Sequence, residues 1–325
     1  MRALIHDSFG DPAEVLHVVD VDTPEPGPGQ VRVRTLLSPI HNHDLWTIRG
    51  TYGFRPELPA RAGTEAVGFV DALGQGVETL HIGQRVVTGG TFGVWAEFFV
   101  APAAALIPVP DAIDDGAAAQ LVSMPFSALS LLDSLDVEPG QWIAQNAANG
   151  AVGRLVAQLA AARGVRVLGL VRRGEGVSEL AAAGIADAVA TDEDGWQGRA
   201  LAITGGAPVV DGVDSVGGSA SDDVLSLLAE NATLVVFGAM AAPTMQLSSG
   251  RVIFGQITVK GFWGSKVSQA MDPGVRAGLI GEILTRVAEG SLDLPVAAVH
   301  PFEDASGAAR ANVEPGRVGK LLLQP

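Results

Sequence analysis

A chain of 325 residues has room for about two domains and a large core, and 47% hydrophobic against 18% charged residues excludes a disordered chain. A formal charge of −15 repels phosphate backbones and anionic headgroups, which argues against nucleic acid or membrane partners. The absence of cysteine removes disulfides, thiolate metal sites and a Cys nucleophile together. MRALIHDSFG carries no apolar leader, and no run reaches the roughly 18 to 20 apolar residues of a membrane helix, so the cytoplasm is the expected compartment.

Up to about Asp111, short β-rich runs at 2–6, 31–37, 66–72, 85–87 and 95–100 are broken by Gly and Pro, the rhythm of a small, mostly antiparallel β domain. Between runs, TPEPGPGQ (23–30) has the composition of a turn. From Asp114, Ala-rich helical stretches alternate with Val-rich strands, the α/β pattern of a doubly wound parallel sheet. Six strands are predicted at 142–146, 165–171, 187–191, 209–214, 233–237 and 257–260. Helices are predicted at 151–163, 177–183, 196–203, 221–229 and 274–288, each short enough for a crossover. From about Leu294 a strand, helix, strand reading returns at 296–301, 304–312 and 320–323. The expected domains are 1–113 with 294–325, and 114–293.

After the first α/β strand, Ala148-Asn149-Gly150-Ala151-Val152-Gly153 forms an AxGxxG that opens a helix. Gly150 lets a pyrophosphate approach the backbone, Gly153 lets the helix pack on the strand, and the helix N-terminus offers free N–H groups. A tight turn alone gives the same hexapeptide, but the strand–loop–helix context favours a dinucleotide. The second strand ends in Arg172 and Arg173, with no acidic residue at the tip to grip a ribose hydroxyl. Guanidinium there favours a 2′-phosphate and hence NADPH, with Glu175 close by.

In the first domain, Gly63-Thr64-Glu65-Ala66-Val67-Gly68 resembles the GHExxG signature of zinc alcohol dehydrogenases, within the medium-chain dehydrogenase/reductase superfamily. Thr64 stands where that family has a metal-binding His, His41 stands at the Cys ligand position, and the four-cysteine lobe is missing. A catalytic zinc wants three protein ligands and an open position. His41, His43, Asp44 and Glu65 read better as hydrogen-bonded polar residues, so no metal is expected.

Through SPIHNHDLWTIRGTYGFRPELPA, WIAQNAANGAVG, VRR, DSVGG and VKGFW, the chain is similar over nearly its full length to zinc-free 2-enoyl thioester (trans-2-enoyl-CoA) reductases. IRGTY and GTEAVG are shared with quinone oxidoreductases. His41 replaces a usual Asn and Gly150 a usual Ser. The resemblance implies a GroES-like β domain, a Rossmann domain, NADPH, a small-molecule acceptor and a homodimer. Its expected cofactor contacts are His41 beneath the nicotinamide, Asn146, Asn149, Gly150, Ala151, Val152, Gly153, Arg172, Arg173, Gly238, Met240, Phe262, Trp263 and Lys320. Met240, Phe262 and Trp263 are also candidates for an acyl-pocket wall, although apolar residues at strand ends commonly serve the core.

Tyr52, the only tyrosine in the chain, matches the proposed proton donor of those reductases. Hydride addition to the β-carbon of an enoyl thioester leaves the α-carbon to be protonated, and a phenol can supply that proton without a metal. Arg49, Arg55 and Arg61 surround this loop and read either as docking cations or as solubilising charge. Two other readings stand beside the enoyl reductase. One is an NADPH:quinone oxidoreductase, and the other a non-catalytic NADPH-binding sensor or structural protein.

Overall fold

The computed structural model describes every residue except Pro315. It divides into two compact units, Met1–Ser123 with Ile280–Pro325, and Met124–Leu279. The partition lies later at the first crossing and earlier at the second than the sequence texture suggests. Hydrogen bonds give the reason for the first shift: Val122 and Ser123 donate backbone N–H groups to Glu65 at 2.6 and 2.9 Å, and Gln120 Nε2 donates to the Leu294 carbonyl at 2.9 Å.

The first unit is built on a seven-stranded sheet. Its order is Val296–Pro301, Lys320–Gln324, Gln30–Pro39, Glu65–Leu73, Arg85–Gly89 and Ile107–Pro108, with Phe98–Pro102 also paired to Gln30–Pro39. All pairings are antiparallel except that of the two C-terminal strands. Along Gln30–Pro39, Val31, Val33 and Thr35 point inward while Arg32 and Arg34 point out, the period of two that half-buried strands require. Leu4, Ile40, Leu45, Ile48, Trp95, Phe99 and Phe302 fill the core beneath. The helix Asn42–Arg49 sits inside this β unit, unannounced by the β-rich runs around it. Leu45 and Ile48 are its buried anchors, the backbone N–H of His41 donates to Asp44 Oδ2 at 3.0 Å, and Gly50 ends it in the left-handed region at φ 73°, where glycine is preferred.

The second unit holds six parallel strands in the order Ala188–Ala190, Arg166–Val171, Trp142–Gln145, Val209–Asp214, Leu228–Val236 and Thr258–Gly261. This is the doubly wound sheet that the alternating pattern predicts. The order reverses between Trp142–Gln145 and Val209–Asp214, and such a switch point opens a crevice at the carboxyl ends of the strands. One predicted helix is corrected. Over 221–229 the structure has a helix only at Ala220–Leu225, and Leu228 already lies in the next strand, paired with Val209. Sheet pairing overrides the helical propensity of Leu and Ala there.

Buried Asp214 ties the switch point together. It accepts from Asn146 Nδ2 at 2.6 Å, from the N–H groups of Val216 and Gly217 at 2.9 and 3.1 Å, and from Ser221 Oγ at 2.5 Å. Removing the carboxylate orphans these donors, at about 1–3 kcal/mol for each one left buried. Asp214→Ala is therefore expected to destabilise the protein by about 3 kcal/mol or more in urea unfolding followed by tryptophan fluorescence, and Asp214→Asn by less. Equal midpoints for Asp214→Ala and the parent would contradict this role.

Candidate active site

In the second unit the nucleotide loop follows Trp142–Gln145. Gly150 is the N-cap of the helix Ala151–Ala162, so the N–H groups of the first turn, at Ala151 and Val152, lack intrahelical partners. Gly153 must be glycine, because a Cβ there would lie 2.6 and 2.7 Å from the carbonyl oxygens of Ala147 and Ala148. Asn149 is turned along the loop, its Nδ2 donating to Glu179 Oε2 at 3.0 Å. Asn146, expected to touch the cofactor, is buried and engaged instead with Asp214 and, through Oδ1, with the Ser215 N–H at 2.7 Å. These bonds tie the start of the loop to the end of Val209–Asp214.

Arg172 and Arg173 are exposed at the tip of Arg166–Val171. Arg173 has Glu175 at 3.9 Å, and no carboxylate pairs with Arg172 among the described residues. Gly238 lets its loop close on Ser215, whose carbonyl would lie 2.9 Å from a Cβ, and Met240 on the same loop is half exposed. Phe262, expected as a contact, is buried against Phe237 with ring centroids 5.8 Å apart. Trp263 stays partly exposed, with Lys266 Nζ 5.2 Å from its ring.

In the first unit, side chains from three elements converge. His41 and Glu65 are fully buried, and His41 Nε2 and Glu65 Oε2 share one proton across 2.6 Å. Burial pushes the Glu65 carboxyl up to about 7 against the pull of the Ser123 and Val122 N–H groups. Burial likewise holds the His41 imidazole well below its usual range, with Lys320 and His43 adding repulsion. The Thr64 hydroxyl donates to Asp44 Oδ1 at 2.7 Å, so its oxygen is left to accept from His43 Nε2–H at 2.8 Å. This fixes the His43 tautomer and ring plane. Its ring stacks on His41 at 4.9 Å and 18° and meets Tyr52 at 5.8 Å and 31°.

Tyr52 is thus brought to His43, a partner the sequence reading did not assign; the only signal was an imidazole two residues after His41. His41 and Lys320, expected as cofactor contacts, both lie in the interior. Lys320 Nζ is 3.5 Å from the Ile40 carbonyl. Burial lowers Lys320 to about 8, Arg317 repels it, and Asp44 and Glu65 pull upward.

Among families, the alcohol dehydrogenase GroES-like domain matches residues 27–111 and the zinc-binding dehydrogenase family residues 151–277. The mitochondrial enoyl-[acyl-carrier-protein] reductase of Homo sapiens is 32% identical over 330 residues, covering 99% of this chain and 88% of its own. A putative NADPH:quinone reductase from Bacillus thuringiensis superposes with a TM-score of 0.92 at 25% identity, covering 100% of this chain and 98% of that one. Escherichia coli quinone oxidoreductase complexed with NADPH gives 0.90 at 25% identity over 100% of both chains. The zinc implied by the second family's description does not fit these side chains. His41 Nε2 is taken by Glu65, Thr64 donates to Asp44, there is no thiolate, and no three His, Asp or Glu side chains among the described residues form a metal-holding group.

The buried groups set a pH dependence of stability. Below about 7 the folded His41–Glu65 pair holds one proton, as the unfolded pair does between the ordinary values of 4.5 and 6.5, so its contribution is flat between those two values. Lys320 differs: from about 8 to 10.5 the unfolded chain holds a proton that the folded one has released, so stability rises with pH across that window. Lys320→Met is expected to remove this rise, which amounts to about 3 kcal/mol. Denaturant unfolding of both proteins from pH 7.5 to 10.5 checks it, and parallel profiles would refute the depressed ammonium.

Proposed function

The chain belongs to the medium-chain dehydrogenase/reductase superfamily, and from that premise we propose that it reduces a 2-enoyl thioester with NADPH, Tyr52 providing the proton. The reading rests above all on the Tyr52 ring standing against an imidazole oriented by hydrogen bonds, where zinc relatives would present ligands. The alignment with named enoyl reductases runs the length of the chain. Gly150 and Gly153 shape a cradle at a helix N-terminus, and the exposed guanidinium groups of Arg172 and Arg173 suit a 2′-phosphate. Both support NADPH.

NADPH, when bound, supplies a hydride. The loop backbone and the two arginines bind and orient it, and Gly153 keeps the helix close enough for the first-turn N–H groups to reach a pyrophosphate. Tyr52 holds at Oη the proton that passes to the α-carbon, while His43, tethered through Thr64 to Asp44, keeps the phenol's ring in place.

A second reading, a quinone reductase, is favoured by the fold match to proteins of that description. It needs no protein proton donor to carbon. We also propose a homodimer through Thr258–Gly261, exposed at all four positions and paired on one side only, to Leu228–Val236, an edge that recruits a further strand. The exposed Ile253 and Phe254 lie just before it in the chain.

Two outcomes are expected. Tyr52→Phe should lower NADPH-dependent turnover of a short 2-enoyl-CoA by about 10²- to 10⁴-fold and leave ortho-quinone turnover near parental. Similar small effects on both acceptors would favour the quinone reading. In light scattering, Val259→Lys should shift a dimer towards monomer, and a parent already monomeric at micromolar concentration would rule the edge out.

A further inference from the structure

The loop that carries Tyr52 continues into an exposed surface of aromatic and basic residues. Phe54 and Phe92 are 41% and 52% exposed, and their rings pack together at 4.5 Å. They form an aromatic pair that is open to solvent rather than closed into the core. Such a pair gains little from exposure and calls for an apolar occupant.

Arg55 follows Phe54 in the chain, and Arg61 lies against Gly93, the neighbour of Phe92. The Arg55 guanidinium lies over the Phe9 ring at 4.4 Å, and Phe9 in turn is pressed against Gly50, where a Cβ would come within 2.8 Å of it. Arg61 runs along Gly93, beside Phe92 in sequence, with its Cβ and Nε 3.2 and 3.4 Å from where a Gly93 Cβ would stand. Neither guanidinium has a carboxylate partner among the described residues. Both are therefore held in place while their N–H edges remain available, which lowers the ordering cost of binding an anion. Arg49 is different: it sits in the last turn of its helix, where a cation complements the dipole. Glu57 is the one carboxylate between Arg55 and Arg61 in sequence, so the segment keeps a local positive balance in a protein of net charge −15.

We propose that this surface binds the phosphate-bearing arm of a coenzyme A thioester, Arg55 and Arg61 taking phosphate oxygens and Phe54 with Phe92 covering the apolar stretch of the arm. The inference rests on the enoyl thioester reading and names the carrier that reading leaves open. Charge selects the small carrier over an acidic carrier protein. A field from −15 acts against every negative charge on a large acidic partner, whereas a compact polyanion feels mainly the cations beside it.

The test uses one 2-enoyl chain on three carriers: coenzyme A, N-acetylcysteamine, which has no phosphate, and an acidic acyl carrier protein. Each is assayed with the parent and with an Arg55→Gln/Arg61→Gln double variant, both sites being exposed. The variant should raise KM for the coenzyme A thioester at least about tenfold, with kcat and all constants for the N-acetylcysteamine thioester unchanged. Calorimetric titration of free coenzyme A should show binding to the parent, weakened by salt, that the variant loses. Equal losses on the phosphate-free thioester, or coenzyme A binding as well to the variant, overturns the proposal. A larger loss with the carrier protein than with coenzyme A overturns the choice of occupant. Should the parent reduce none of the three thioesters, the reductase reading fails, while the titration still decides the surface.

Discussion

One buried carboxylate organises the first unit. Glu65, at the start of Glu65–Leu73, has no access to water, and an isolated carboxylate in that position would not be tolerated. Its two oxygens are satisfied from two distant stretches of chain. One faces His41 at the head of the helix Asn42–Arg49, and the other receives the N–H groups of Val122 and Ser123. Three segments that no local propensity would bring together are thereby fixed around one group. The proton on that group is shared with His41, so the cluster carries less charge than its composition suggests, and Lys320 and Asp44 sit beside it within the same balance.

The second unit uses the same device. Asp214, equally buried, gathers donors from the ends of two neighbouring strands and from the helix that follows. A parallel sheet leaves the carboxyl ends of its strands to loops, which are mobile unless side chains tie them. Asn146 and Asp214 supply that tie at the switch point, and the loop that begins at Ala147 can then present backbone N–H groups in a fixed direction. In each unit, taken by itself, rigidity comes from a buried carboxylate whose hydrogen bonds are internal.

This explains what was legible in the sequence. Period-two and α/β alternation are local properties, so the sheet architecture could be read, and AxGxxG could be recognised because the residues that need it are neighbours. Whether a polar residue faces a ligand or the interior is decided by partners far along the chain. The internal partners of His41, Asn146 and Lys320, namely Glu65, Asp214 and the Ile40 carbonyl, stand 24, 68 and 280 positions away, beyond the reach of any local motif. The packing of the Phe262 ring against Phe237 was equally out of reach of the motif. The strand that begins at Leu228 was hidden because leucine and alanine serve helix and sheet alike.

The direction of the hydrogen bonds around Thr64 carries the remaining argument. A carboxylate can only accept, so Asp44 compels the Thr64 hydroxyl to donate towards it. The threonine oxygen must then accept, which places a proton on His43 Nε2. Each step follows from the donor and acceptor inventory of the one before, and the chain ends at an imidazole whose ring meets those of His41 and Tyr52. A histidine in place of Thr64 would break this sequence at its second link, because imidazole cannot be a one-atom donor and acceptor as a hydroxyl can. The substitution that separates this chain from the zinc signature is therefore the one that lets a buried negative charge orient the ring against the phenol.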